Sequence, residues 1–256
     1  MSAPAFPAAH RPLAQEVIYR TLVLPALGGQ FNRIWAQVDG PAPHPADGPL
    51  IIYLTHSSWW DAYMLYLISY RLLGERLQNY IMMEEKQLRA YPFFTWCGAF
   101  SINRHDPVSA AGSVSYIADR LREQRARALW IFPQGRIVPP DRRPIVAYPG
   151  IVRVAQQAGG ATLWPVALRY EFRGEQQPEA FVRAGPYHTI SAAADELQAT
   201  AEITARLTAN ADALRDDVLQ QRFAQYRILL HGRQGINRLF DVMAAAARGR
   251  RARARQ

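Results

Sequence analysis

The chain has 256 residues, 49% of them hydrophobic, which is enough for one large domain with a sizeable core. Its formal net charge is +9, and every basic residue except Lys86 is arginine. The single cysteine, Cys97, excludes an internal disulfide and a cysteine-rich metal site.

The N-terminal region begins with residues 1–12, which are rich in alanine and proline and are predicted to be flexible. An amphipathic helix is predicted from Leu13 to Leu27. Its large apolar side chains are expected to share one side: Val17, Ile18, Leu22, Val23 and Leu24. Two interpretations stay open, a helix lying in a membrane interface or a helix packed on the domain. The start of the chain lacks a signal-peptide pattern, and no stretch has the length and apolarity of a membrane-spanning helix.

A proline-rich loop at 40–49 leads to the apolar run 50–54, which predicts a buried strand, and the helix expected next spans 62–73. His56 and Asp61 lie between the two. Five residues apart on one ideal helix, they would point about 140° away from each other. With His56 in the turn before the helix they can converge, and the carboxylate then fixes the imidazole tautomer and leaves one nitrogen free as a base. The alternative is a serine cap at 57 or 58 beside a structural histidine.

Three later segments repeat the pattern of a buried strand that ends in polar or turn residues. They are GAFSINR at 98–104, ALWIFPQGR at 128–136 and TLWPVAL at 162–168. Helices are predicted at 108–124 and from Pro149 to residue 158. This alternation predicts an α/β domain with a central mixed sheet flanked by helices. Residues that follow the strands would collect in one cleft at the carboxyl ends of the strands.

In this order the four segments resemble the blocks of the lysophospholipid acyltransferase family, the glycerolipid acyltransferases with a His-x4-Asp block. The resemblance covers about residues 50–170. It implies that His56 is the general base and that Asp61 orients it. It also implies that Arg104 holds the acceptor phosphate and that Gly135 is the glycine of the third block. Arginine suits the phosphate role because its planar fork binds oxygens bidentately.

The third block departs from the family pattern. Gln134 replaces the usual glutamate, Arg136 stands where threonine is usual, and Ile137 stands at the second arginine. Glutamine keeps an acceptor oxygen, loses the charge and gains a donor. Arg136 either takes the arginine role in a shortened block, or that arginine is missing. The default acceptor is lysophosphatidic acid, and a non-phosphorylated acceptor such as a glycolipid stays open.

The resemblance further implies that the acyl group moves directly from an acyl-CoA or acyl-carrier-protein thioester, without an acyl-enzyme, a metal or another cofactor. The expected partners are the lipid acceptor, the acyl thioester and a membrane surface, and no nucleic acid is expected. The expected location is peripheral, at the cytoplasmic face of the cell membrane. Aromatic candidates for an acyl groove or a lipid contact, each with core packing as its alternative, are Trp59, Trp60, Phe93, Phe94 and Trp96. The rival function is a non-catalytic scaffold that binds membrane or nucleic acid.

The C-terminal third is predicted to be helical at 192–230 and again at 234–247. An arginine-rich tail at 248–256 binds an anionic surface or simply solubilises the chain. The predicted organisation is therefore a flexible segment with an amphipathic helix at 1–40, an acyltransferase domain at 41–247 and the tail.

Overall fold

The computed structural model describes residues 3–11, 13–44, 48–74, 77–123 and 126–233. Within these ranges a mixed nine-stranded sheet is flanked by helices, which confirms the predicted α/β class. The strands are β1 (Arg33–Val38), β2 (Leu50–Leu54), β3 (Gln78–Glu84), β4 (Ala99–Ile102), β5 (Arg127–Ile131), β6 (Gly160–Glu171), β7 (Glu179–Ala184), β8 (His188–Ser191) and β9 (Arg227–His231). The helices are α1 (Ala14–Ile18), a π-helical turn (Tyr19–Val23), α2 (Leu24–Gln30), α3 (Asp61–Leu72), α4 (Glu85–Ala90), a 3₁₀ helix (Pro92–Cys97), α5 (Pro107–Glu123), α6 (Gly150–Gln157) and α7 (Glu196–Leu219).

The order of the sheet places the predicted blocks on neighbouring strands. It runs β4-β3-β5-β2-β6-β7-β1-β9, with β8 paired to the start of β6. The first five strands of this order are mutually parallel, while β7 is antiparallel to β6. The carboxyl ends of β2, β3, β4 and β5 therefore meet at one edge of the sheet, where ligands of open α/β sheets bind.

The central strand β2 is buried on both faces. Its side chains alternate between two cores. Ile52 and Leu54 pack towards α3 and the N-terminal helices, and Ile51 and Tyr53 towards α5 and α6. Full burial of one such side chain stabilises the fold by about 1.5–3 kcal/mol. The turn after β2 therefore follows a strand whose five residues are all buried.

The N-terminal helical stretch buries only part of the predicted apolar set. Tyr19, Val23 and Leu27 are buried, whereas Val17 and Leu22 are exposed. Residues four apart stack on one face of a helix, so this spacing forms a single stripe. Of the predicted set, Ile18 and Leu24 also pack partly buried against the core, so the prediction was wrong only for Val17 and Leu22.

Residues 3–11 run along the edge strand β4. The backbone N–H of Ser101 donates to the carbonyl of Phe6 at 2.9 Å, and the N–H of Phe6 donates to the Ser101 hydroxyl at 2.9 Å. The His10 ring reaches the carbonyl of Asn79 at 2.9 Å. The N-terminal segment therefore covers one end of the sheet.

The single long helix predicted at 192–230 was wrong at its C-terminal end. Helix α7 ends at Leu219, and residues 227–231 form β9, which pairs antiparallel with β1. The run RILLH is apolar enough to fill an edge position. The predicted helix at 234–247 and the arginine tail at 248–256 lie outside the described residues, and the division of the chain at residue 40 stays a prediction. No helix in the described ranges is both long and apolar enough to cross a membrane.

Candidate active site

A histidine–carboxylate pair lies at the carboxyl end of β2. His56 occupies the turn after the strand, and Asp61 is the first residue of α3. The Nδ1 atom of His56 lies 2.8 Å from Oδ2 of Asp61. The two side chains meet because the turn between them reverses the chain direction. The predicted convergence is therefore present in the structure.

The fully buried Asp61 carboxylate is surrounded by donors. Its Oδ2 atom accepts the backbone N–H groups of Ser57 and Ser58 at 2.7 and 2.9 Å, in addition to His56. Its Oδ1 atom accepts the hydroxyl of Tyr170 at 2.6 Å. A carboxylate offers about four lone-pair sites, and all four contacts here come from donors. Of the alternative serine cap, the structure shows only a hydrogen bond from the N–H of Trp60 to the Ser58 hydroxyl at 3.2 Å, since the N-cap residue of α3 is Trp60.

The protonation of His56 follows from this geometry. Because the carboxylate accepts, the Nδ1 atom must carry the proton, and Nε2 is then the basic nitrogen. No residue in the described part of the chain hydrogen-bonds to Nε2. The imidazole stacks on Phe132, with ring centroids 4.2 Å apart, and its side chain is 21% exposed. One nitrogen is thus fixed and the other is available to a ligand.

Gln134 lies directly against the His56 turn. Its Oε1 atom accepts the backbone N–H of His56 at 2.8 Å. The carbonyl of His56 accepts the N–H of Val138 at 2.8 Å, from the same loop. The first and third sequence blocks are therefore joined on both sides of the histidine.

Arg104 lies over Gly135 at the same edge of the sheet. Gly135 has φ of +65°, and a Cβ atom built there would lie 2.6 Å from Nη1 of Arg104 and 3.2 Å from the ring of Tyr148. A side chain at 135 would displace the guanidinium. The Nε atom of Arg104 donates to Oε2 of Glu84 at 2.9 Å.

The remaining predicted contact, Arg136, is exposed and makes no ion pair within the described ranges. All six predicted site residues therefore lie at one edge of the sheet. Two further residues there were not predicted, Glu84 at the end of β3 and Tyr170 near the end of β6. The only sequence signal for either is its place near the end of a strand.

The loop after β5 is anchored by charged residues. Arg169 on β6 donates to Asp141 at 2.6 Å, and this hydrogen bond lowers the pKa of the Asp141 carboxyl. The Nε atom of Arg143 donates to Asp212 on α7 at 3.0 Å. These contacts fix the loop that carries Gln134.

The single cysteine of the chain is buried as a structural residue. Cys97 is buried, and burial raises the pKa of its thiol to about 11, which keeps it protonated. Within the described ranges, no group of three or more His, Cys, Asp or Glu side chains could hold a metal ion.

Five apolar side chains form an exposed aromatic patch beside α1: Leu13, Val17, Tyr91, Phe93 and Trp96. The Arg11 guanidinium lies over the Trp96 ring at 4.1 Å, and the N–H of Arg11 donates to the Trp96 carbonyl. Of the other predicted aromatics, Trp59 is 63% exposed, whereas Trp60 and Phe94 are partly buried against the core.

Comparison with known proteins gives a family and a fold. The family model named Acyltransferase matches residues 36–169, a span that contains every predicted site residue. The crystal structure of the 1-acyl-sn-glycerophosphate (LPA) acyltransferase PlsC from Thermotoga maritima resembles this chain with a TM-score of 0.51 at 14% identity. The similarity covers 70% of this chain and 72% of that one, and at this identity it shows a shared fold. No curated protein matches the chain.

Proposed function

The chain belongs to the acyltransferase family, and from that premise we propose that it transfers a fatty acyl group from a thioester to a hydroxyl of a lipid acceptor, with His56 as general base. The observation that carries the proposal concerns the His56 imidazole: its Nδ1 atom is held by the buried Asp61, and its Nε2 atom has no hydrogen-bond partner among the described residues. General bases need a hydrogen-bonding position open to the substrate.

The proposed step is a direct transfer. Nε2 of His56 takes the hydroxyl proton while the acceptor oxygen attacks the thioester carbonyl. The resulting tetrahedral intermediate collapses with breakage of the carbon–sulfur bond, and the imidazolium returns the proton to the leaving thiolate. The Asp61 carboxylate stabilises the imidazolium between these events. No acyl-enzyme, metal or further cofactor takes part.

The proposed default acceptor is lysophosphatidic acid. The exposed guanidinium of Arg136, which has no ion pair with any described residue, and the two Nη atoms of Arg104 would bind its phosphate. The substrate named for the Thermotoga maritima relative supports this choice. A non-phosphorylated acceptor such as a glycolipid is the second candidate. It is favoured by the pairing of Arg104 with Glu84 and by Ile137 at the position of the family's second arginine, which together leave less net positive charge for a phosphate.

The acyl thioester is proposed to be acyl-CoA or an acyl-carrier protein. The acyl chain would lie on the α3 side of the sheet, where Met83, Phe94 and Phe132 are partly buried against the core. That side is apolar, whereas Glu84 and Arg104 pair beside Gly135. His56 stacks on Phe132 and would lie between the apolar surface for the acyl chain and the polar surface formed by Glu84 and Arg104.

We further propose that the protein works at the cytoplasmic face of the cell membrane as a peripheral protein. The aromatic patch beside α1 supports this, since exposed aromatic and aliphatic side chains next to arginines suit a lipid interface. Nucleic acid is not proposed as a partner.

The deciding experiment measures thiol release from palmitoyl-CoA by the purified protein. Lysophosphatidic acid and a panel of non-phosphorylated hydroxy-lipids serve as acceptors, and His56→Ala is the control. Release with lysophosphatidic acid alone supports the default, and release with an uncharged acceptor alone supports the second candidate. If no thiol is released from palmitoyl-CoA or from acyl-carrier-protein donors with any acceptor, the proposal is wrong and the protein is a non-catalytic scaffold.

A further inference from the structure

We propose that Tyr170 is a positioning residue for the transfer, holding the Asp61 carboxylate in the orientation that fixes His56. The proposal rests on the roles given above to His56 and Asp61. Its basis is the 2.6 Å hydrogen bond from the Tyr170 hydroxyl to Oδ1 of Asp61. Tyr170 lies beyond the fourth sequence block, so no block residue predicts this contact.

Tyr170 differs from the other three donors to Asp61 in its origin. The ring of His56 and the N–H groups of Ser57 and Ser58 all contact Oδ2 and belong to the same turn as the carboxylate. Those contacts alone would let the turn and the carboxylate shift together. Tyr170 comes from β6, 109 positions away, and contacts the other oxygen. Among the described residues it alone ties the carboxylate side chain to the sheet by a hydrogen bond.

Aromatic packing holds Tyr170 itself. Its ring lies 5.6 Å from that of Phe31, at an interplanar angle of 30°. Phe31 is fully buried and also meets Trp60 edge-on at 5.4 Å. Trp60 caps the N-terminus of α3, directly before Asp61. The phenol therefore spans from the sheet to the helix that carries the carboxylate.

The hydroxyl of Tyr170 keeps its proton. Burial and the adjacent carboxylate raise its pKa well above the usual value for tyrosine. It consequently donates to the Asp61 carboxylate at neutral pH. Removal of this donor would leave Oδ1, on a fully buried carboxylate, without its partner.

The test compares Tyr170→Phe with Tyr226→Phe. Tyr226 donates to Asp217 at 3.0 Å in a separate cluster, so the control deletes a hydrogen bond of the same kind away from the histidine. We expect Tyr170→Phe to lower kcat about 10- to 100-fold with the acceptor KM within about twofold, because small misplacements of reacting groups carry costs of that order. The control should keep wild-type kcat. Both variants are expected to lose a similar amount of thermal stability.

Two further readouts separate positioning from a general loss of structure. In a His56→Gln background, Tyr170→Phe should leave the residual rate unchanged, because its effect passes through His56. The NMR signal of the His56 Nδ1 proton should be retained in the control and lost or shifted in Tyr170→Phe. A wild-type kcat, or an unchanged Nδ1 signal, in folded Tyr170→Phe overturns the proposal. The NMR readout needs no turnover, so it judges Tyr170 even if the proposed reaction fails.

Discussion

The side-chain oxygen of Gln134 accepts the backbone N–H of His56 at 2.8 Å. A glutamate oxygen would accept the same hydrogen bond, so the departure from the family pattern at this position preserves the contact while it removes a charge. Gln134 thus supports the histidine turn, and its neutral amide bears on the choice of acceptor.

Substitutions at Gln134 should separate these two effects. Gln134→Glu is expected to keep kcat on an uncharged acceptor within about threefold, because an acceptor oxygen remains. Gln134→Leu leaves the N–H of His56 without a partner, which costs about 1–3 kcal/mol. We expect its kcat to fall about tenfold or more. Steady-state kinetics with both acceptor classes measure the effects, and wild-type kcat in Gln134→Leu would count against a supporting role.

His56→Gln should lower activity alone, whereas Asp61→Asn should lower both activity and thermal stability. Loss of the base should lower kcat by about 10²–10⁴-fold with little change in thermal stability. Asparagine at 61 offers one oxygen and one NH₂ group to surroundings that only donate, so that variant should lose stability as well as activity. Thiol-release assays and thermal unfolding measured together distinguish the two, and a fully active His56→Gln would exclude the proposed base.

Gly135→Ala should weaken binding of a phosphorylated acceptor. The new Cβ would lie 2.6 Å from Nη1 of Arg104, so the guanidinium must move. Gly74→Ala is a matched control, since Gly74 has φ of +68° and no atom of the described residues lies within 4 Å of a Cβ built there. Both variants place alanine at a similar positive φ, which costs about 1–2 kcal/mol of backbone strain. Only Gly135→Ala should raise KM for lysophosphatidic acid, and equal KM values in the two variants would argue against a role for Arg104.

Acid should destabilise the fold through His188. Burial, aided by Arg206, lowers its pKa to about 4 from 6.5, and its Nε2 atom lies 3.1 Å from the Tyr53 hydroxyl. Between about pH 4 and pH 6.5, His188 is therefore protonated in the unfolded chain and neutral in the folded chain. This contribution to stability is complete above pH 6.5 and is lost as the pH falls towards 4, by about 3 kcal/mol. Urea unfolding at pH 7.5 and 5.0 should show a smaller loss in His188→Gln than in the wild type.

The aromatic patch beside α1 should contribute to vesicle binding. Leu13 and Val17 are 74% and 52% exposed and lie one helical turn apart. Changing both to aspartate should lower the bound fraction in co-sedimentation with anionic vesicles at least about tenfold, since each buried apolar side chain contributes about 1.5–3 kcal/mol. The same double change at Leu197 and Leu219, exposed on α7, is the control. Equal losses in both pairs would indicate non-specific charge repulsion instead.

Local sequence patterns predicted the turn and the elements around it. The run 50–54 is β2, and the helices predicted at 62–73 and 108–124 are α3 and α5, each beginning one residue earlier than expected. His56 and Asp61 lie within one turn of each other, so their convergence depends on short-range geometry. Burial of both faces of β2 produces the continuous apolar run that made this strand recognisable.

Contacts across the sheet could not be read from such patterns. The Tyr170–Asp61 hydrogen bond and the Arg104–Glu84 ion pair join different strands and helices, and each depends on strand order and register. Neither property follows from periodicity within a segment. The strands β1, β3, β7, β8 and β9 were not predicted either. Four of them have six residues or fewer, and such short strands carry little periodic signal.

The segment at residues 3–11 also bears on how separate molecules behave towards one another. The edge of a sheet exposes N–H and C=O groups that can recruit a strand from another chain and start aggregation. At the β4 edge, the carbonyl of Phe6 accepts the backbone N–H of Ser101, and the N–H of Phe6 donates to the Ser101 hydroxyl. The N-terminal segment thus blocks this part of the β4 edge from pairing with a strand of another molecule.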